Sequence, residues 1–151
     1  MNALPRSNDS QESAVILIVD EDPLLLTATA AALHLLGHEC HCAGNPEAAL
    51  KAARMLQLEL VICDVLLEGH SGLELCREIK KLDGLANVPM MFIAANQLPD
   101  IIRRAFDSKG AYFLRKPFDT TVLLELVDKA LWMPHLVHSQ MSLSREPVGS
   151  A

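Results

Sequence analysis

The chain has 151 residues, half of them apolar, and its 19 acidic and 13 basic side chains give a formal net charge of −6. A chain of this length is one domain, able to bury roughly 68–70% of its unfolded surface, which excludes disorder throughout. The acidic excess excludes a surface of clustered Lys and Arg gripping a phosphate backbone, and no apolar run reaches the roughly 18 residues that cross a bilayer.

Residues 1–13 offer almost nothing to bury and no basic, apolar leader, so they read as a mobile arm ahead of a cytoplasmic domain over 14–133. Ala14-Val-Ile-Leu-Ile-Val19 is too short for a typical helix and apolar throughout, the pattern of a strand buried on both faces. It ends at Asp20-Glu21-Asp22-Pro23, where Pro23 suits the first turn of a helix running to Leu36 and Gly37 its stop. The cycle repeats with strand 39–43, helix 46–56, strand 58–63, helix 72–82, strand 88–94, helix 98–108 and strand 111–115. A last helix runs from an Asp119 cap through Trp132, and residues 134–151, rich in Ser and Pro, read as a flexible tail. Five strands alternating with five helices make an α/β, flavodoxin-like, doubly wound five-stranded parallel sheet of order 2-1-3-4-5. Cys40, Cys42, Cys63 and Cys76 fall inside apolar segments, as buried thiols of a reducing compartment would.

Open α/β sheets bind ligands at the carboxyl ends of their strands, where strand order reverses. Asp20, Glu21 and Asp22 follow the first strand and Asp64 the third, neighbours in this order. So many carboxylates crowd one another's charge, and a divalent cation relieves it; oxygen ligands with water completing the shell suit Mg2+ better than zinc. Lys116 follows the fifth strand, within reach of the acids, where it can hold a phosphoryl oxygen. Metal ligands, an aspartyl nucleophile and an anion clamp together suit phosphoryl transfer to a carboxylate.

The runs Val-Asp20-Glu21-Asp22-Pro23, Cys-Asp64-Val-Leu-Leu-Glu-Gly-His-Ser-Gly72 and Phe113-Leu-Arg-Lys116-Pro117-Phe118 resemble the receiver domain of two-component response regulators, over nearly all the ordered chain. The resemblance implies a stand-alone receiver that is not a turnover enzyme. Asp64 accepts a phosphoryl group from a sensor histidine kinase, a histidine phosphotransferase or a small donor, and an unidentified downstream protein reads the result by contact. It makes Glu21, Asp64 and the Leu66 main-chain carbonyl direct Mg2+ ligands, with Asp20 acting through water, Lys116 the phosphoryl clamp and Lys116–Pro117 a cis peptide. Ala94 stands where the family usually carries the switch Thr or Ser, so Phe113, the switch aromatic, is expected to respond weakly to phosphorylation. Glu68 stands where the family usually has Pro, which implies a looser loop and altered Mg2+ affinity. Leu66 and Asn96 flank the approach to phosphorus, and Leu66, unable to orient water, implies slow self-dephosphorylation.

The two departures also support a degenerate receiver whose binding ignores phosphorylation. A haloacid-dehalogenase-like phosphatase is a third reading, from the Asp20 and Asp22 spacing, but it has Leu24 at the usual threonine and no late acidic pair. His38-Glu-Cys40-His41-Cys42 contains soft-metal donors, yet strand alternation turns His41 away from the two cysteines. The first helix has no charged residue, so its outer face around Thr27, Ala31 and His34 is a candidate for a partner helix. The fourth helix, fifth strand and fifth helix, with Arg103, Arg104, Arg115 and Asp128 for ion pairs and Val122 and Leu126 for packing, form a candidate homodimer surface.

Overall fold

The computed structural model describes residues 13–107 and 111–132. The expected arm, apart from Ser13, the tail and Ser108 lie outside them. The elements are β1 Val15–Val19, α1 Pro23–Leu35, β2 Glu39–Ala43, α2 Pro46–Met55, β3 Leu60–Asp64, β4 Leu66–Leu67, β5 His70–Ser71, α3 Gly72–Lys80, β6 Met90–Ala94, α4 Asp100–Asp107, β7 Tyr112–Arg115 and α5 Thr120–Trp132. The main sheet has the order β2-β1-β3-β6-β7 with every neighbouring pair parallel, the expected doubly wound topology. Ends differ from expectation by one or two residues, where hydrogen bonding frays.

Strand alternation splits the core in two. Leu17, Val19, Val61, Cys63, Met90 and Phe92 face α2, α3 and α4, while Ile16, Ile18, Leu60, Ile62, Met91 and Ile93 face α1 and α5. Apolar side chains on both sides explain why these strands read as unbroken hydrophobic runs.

Three features depart from the sequence reading. Residues 66–71, expected as loop, form the antiparallel β4–β5 hairpin, pairing Leu66 with Ser71 and Leu67 with His70. Cys42 is exposed and Cys40 half-buried, while Cys63 and Cys76 are buried; β2 is the sheet's edge, where less packs over each side chain. His38 is buried, its Nδ1 accepting the Ala14 N–H at 3.1 Å and its ring stacked on Trp132. Among the described residues no metal cluster forms with Cys40, His41 and Cys42; His41 pairs with Glu39 at 2.6 Å instead.

Candidate functional site

The carboxyl ends of β1, β3 and β7 bring three of the expected residues together. Asp20 directly follows β1, its N–H extending the sheet to the Ala43 carbonyl at 3.1 Å. Asp64 is the last residue of β3, and both aspartates are buried. Lys116 follows β7 and is held by its own backbone, the N–H donating to the Ala94 carbonyl at 2.8 Å. Its ammonium donates to Asp64 Oδ2 at 2.6 Å and to Asp20 Oδ2 at 3.0 Å, so one cation bridges two carboxylates 96 and 52 residues away in sequence. The remaining carboxylate oxygens are oriented by the backbone: Asp20 Oδ1 accepts the Asp22 N–H and Asp64 Oδ1 the Leu66 N–H, each at 2.9 Å. The Lys116–Pro117 peptide is cis, as the resemblance implies.

Burial works to lower the Lys116 pKa, but the hydrogen bonds to Asp64 and Asp20 and their charges outweigh it, raising it above the ordinary lysine value. The ammonium is therefore a fixed positive charge at any physiological pH. The Cys63 thiol beside Asp64 is pushed well up by its hydrogen bond with Cys76, by burial and by the Cys76, Asp64 and Asp20 charges. A thiol held neutral is a poor nucleophile, so it packs rather than reacts.

The acidic run divides its labour. Asp22 is not in the cluster: its Oδ1 accepts from the Leu24 and Leu25 N–H groups and caps α1. An acidic residue directly before Pro at the first helical position carried that signal in the sequence. Glu21, between them, is exposed, as is the Leu66 side chain. Asp20 and Asp64 with exposed Glu21 are hard oxygen donors without nitrogen or sulfur. That set fits Mg2+, which takes one or two carboxylates and keeps several waters. Among the described residues no three His, Cys, Asp or Glu side chains converge in this structure, where the Lys116 ammonium lies between Asp20 and Asp64.

Two features surround this centre. Gly72 opens α3 with its N–H on the Val65 carbonyl at 2.8 Å, and a Cβ there would lie 1.8 Å from the Asp64 carbonyl oxygen. On the other side, Ala94 is buried at the end of β6, and Phe113 pairs laterally with Phe92, their rings stacked at 5.6 Å. Ala94, Asn96, Leu98, Arg103, Phe113 and Arg115 help line a cleft of ≈ 230 Å³ beside them.

A family model described as the response regulator receiver domain matches residues 16–128. The DNA-binding transcriptional regulator NtrC of Azospirillum brasilense is 34% identical over 120 residues, covering 79% of this chain and 24% of its own. The transcriptional regulatory protein CrdR of Helicobacter pylori is 30% identical over 135 residues, covering 85% and 63%. This chain thus spans about a quarter to under two thirds of these relatives. Among solved structures, chemotaxis protein CheY4 of Vibrio cholerae superposes with a TM-score of 0.72 at 22% identity, over 79% of this chain and 99% of that one. NtrX of Brucella abortus superposes with a TM-score of 0.72 at 30% identity, over 87% and 30%.

Proposed function

Because the chain belongs to the response regulator receiver family, we propose that Asp64 is its phosphoacceptor and that protein contacts carry the signal. The observation behind this reading is the Lys116 ammonium bridging Asp64 and Asp20 at the strand ends. An Asp64 carboxylate oxygen attacks phosphorus in the phosphohistidine of a sensor kinase or histidine phosphotransferase. The P–O bond forms, the P–N bond breaks, and the departing imidazole takes up a proton. Lys116 follows the charge from the Asp64 carboxylate to a phosphoryl oxygen as a point charge. Asp20, Glu21, Asp64 and the Leu66 main-chain carbonyl would hold Mg2+, which when bound offsets the negative charge of the phosphoryl oxygens. The Leu66 N–H, donating to Asp64 Oδ1, holds the carboxylate against rotation, which positions it for transfer. The chain works as a phosphorylated switch in the cytoplasm rather than as a turnover enzyme; its four cysteines are free thiols.

Buried Ala94 supports a second reading, binding independent of phosphorylation, because a methyl cannot bond a phosphoryl oxygen. The phosphatase reading loses its second acid, since Asp22 is committed to the α1 cap.

Intact mass after incubation with Mg2+ and acetyl phosphate tests the proposal. One phosphoryl adduct on the wild type and none on Asp64→Asn is the expected result. No adduct on the wild type overturns it in favour of the constitutive binder.

A further inference from the structure

The cleft of ≈ 230 Å³ where α4, β7 and the segment after β6 meet has an apolar floor and a basic rim. Ala94, buried at the end of β6, contributes only a methyl, and half-buried Leu98 and Phe113 complete the floor. Arg115 stands two residues after Phe113 on β7 and so projects to the same side of the sheet. Arg103 lines the cleft from α4, and the exposed amides of Asn96 and Gln97 add N–H donors. Among the described residues no Asp or Glu lines it. Neither guanidinium has an ion-pair or hydrogen-bond partner among those residues, whereas Arg77 pairs with Glu74 and Lys81 with Glu78. On a chain of net charge −6, two unmatched positive charges flank one apolar hollow.

We propose that this cleft binds a small organic anion, a carboxylate carried on a single apolar ring or short chain. The rim selects the head group: a guanidinium fork matches the two oxygens of a carboxylate, and on an acidic protein an anion is drawn to the place where positive charge is unopposed. The floor selects the body. A bare inorganic anion pressed on Ala94, Leu98 and Phe113 would shed water and gain no partner in exchange. An apolar body gains from the surface it buries, and a ring pairs with Phe113 as aromatic rings do. Volume sets the size, because ≈ 230 Å³ lies below the roughly 300–1,000 Å³ of sites for drug-sized ligands, too small for a nucleotide. The cleft adjoins the site through the main chain, since Arg115 precedes Lys116 and the Lys116 N–H donates to the Ala94 carbonyl at 2.8 Å. The proposal goes beyond the phosphoacceptor reading and stands without it.

Amide shifts of the full chain titrated with phenylacetate, phenylacetamide and acetate, without Mg2+ or phosphodonor, test it. Phenylacetate is expected to give saturable shifts centred on residues 94–98 and 113–115. Phenylacetamide, which lacks the charge, and acetate, which lacks the ring, bind at least about tenfold more weakly. R103Q and R115Q, both at exposed positions, keep the wild-type circular dichroism spectrum. Each weakens phenylacetate about three- to fivefold and leaves phenylacetamide unchanged. Four results overturn the proposal: no saturable shift with phenylacetate, shifts centred instead on Asp20, Asp64 and Lys116, equal affinity for phenylacetamide or acetate, or indifference to both arginine variants.

Discussion

Gly72 shows how closely the site is built at the level of single residues. At the first turn of a helix, Ala is ordinarily better than Gly by up to about 1 kcal/mol. Here the added methyl would meet the Asp64 carbonyl oxygen at 1.8 Å, so the backbone carrying Asp64 must shift. Gly72→Ala is expected to destabilise the protein by about 1–3 kcal/mol, the usual overpacking cost, measured as a lower urea midpoint at unchanged slope. An unchanged or higher midpoint would show that the loop yields freely. The sequence made Asp20, Asp64 and Lys116 legible because each stands at the end of a strand-forming run, and strand ends meet in a parallel sheet. Spacing alone did not separate Asp20, Glu21 and Asp22; the family resemblance set Asp22 apart. Which of three adjacent acids turns inward depends on where β1 stops pairing and α1 begins, and only Asp20 has its carboxylate on Lys116.

Among elements, the β4–β5 hairpin is the one the sequence concealed. Two-residue strands carry no periodicity to read. The turn residues did leave a trace in Glu68-Gly69: both have positive φ, 29° and 85°, as the twist-matched two-residue turn requires. Glutamate is strained there, at a cost on the order of 1 kcal/mol. Glu68→Asn is therefore expected to raise stability by a few tenths to about 1 kcal/mol. Glu68→Pro, with φ locked near about −65°, should open the hairpin and lower stability by about 1–3 kcal/mol. Urea melts of the two variants check both signs, and a stabilised proline variant would mean that the turn is rebuilt. The family's usual proline and this hairpin are thus alternative solutions for the segment that leaves Asp64. The α1 helix presents the complementary case. Its lack of charge was plain in the sequence, but which side stayed open was decided by the placement of Leu26 and Leu33 against the sheet.

At the scale of the whole molecule, the question is whether the proposed phosphorylation of Asp64 would be felt across β6 and β7. Ala94 has no hydroxyl to follow a phosphoryl group, and half-buried Phe113 already stacks on Phe92 against the core. A ligand shifts two states only by its differential affinity for them. Amide shifts on adding Mg2+ and a beryllium fluoride phosphoryl mimic are expected to stay local to Asp64, with β6 and β7 nearly unmoved. Ala94→Thr is expected to extend the response into both strands. Wide shifts in the wild type would show that another group carries the switch. The sequence by itself determined the fold class and strand order, because apolar runs and helical spacing report local burial and parallel strands need crossover helices. It also determined which residues stand at the strand ends. Tertiary structure alone decided that one ammonium joins Asp20 to Asp64 and that Leu24 and Leu35 face outward. Each of these depends on the position of chain distant in sequence, which periodicity and propensity do not encode.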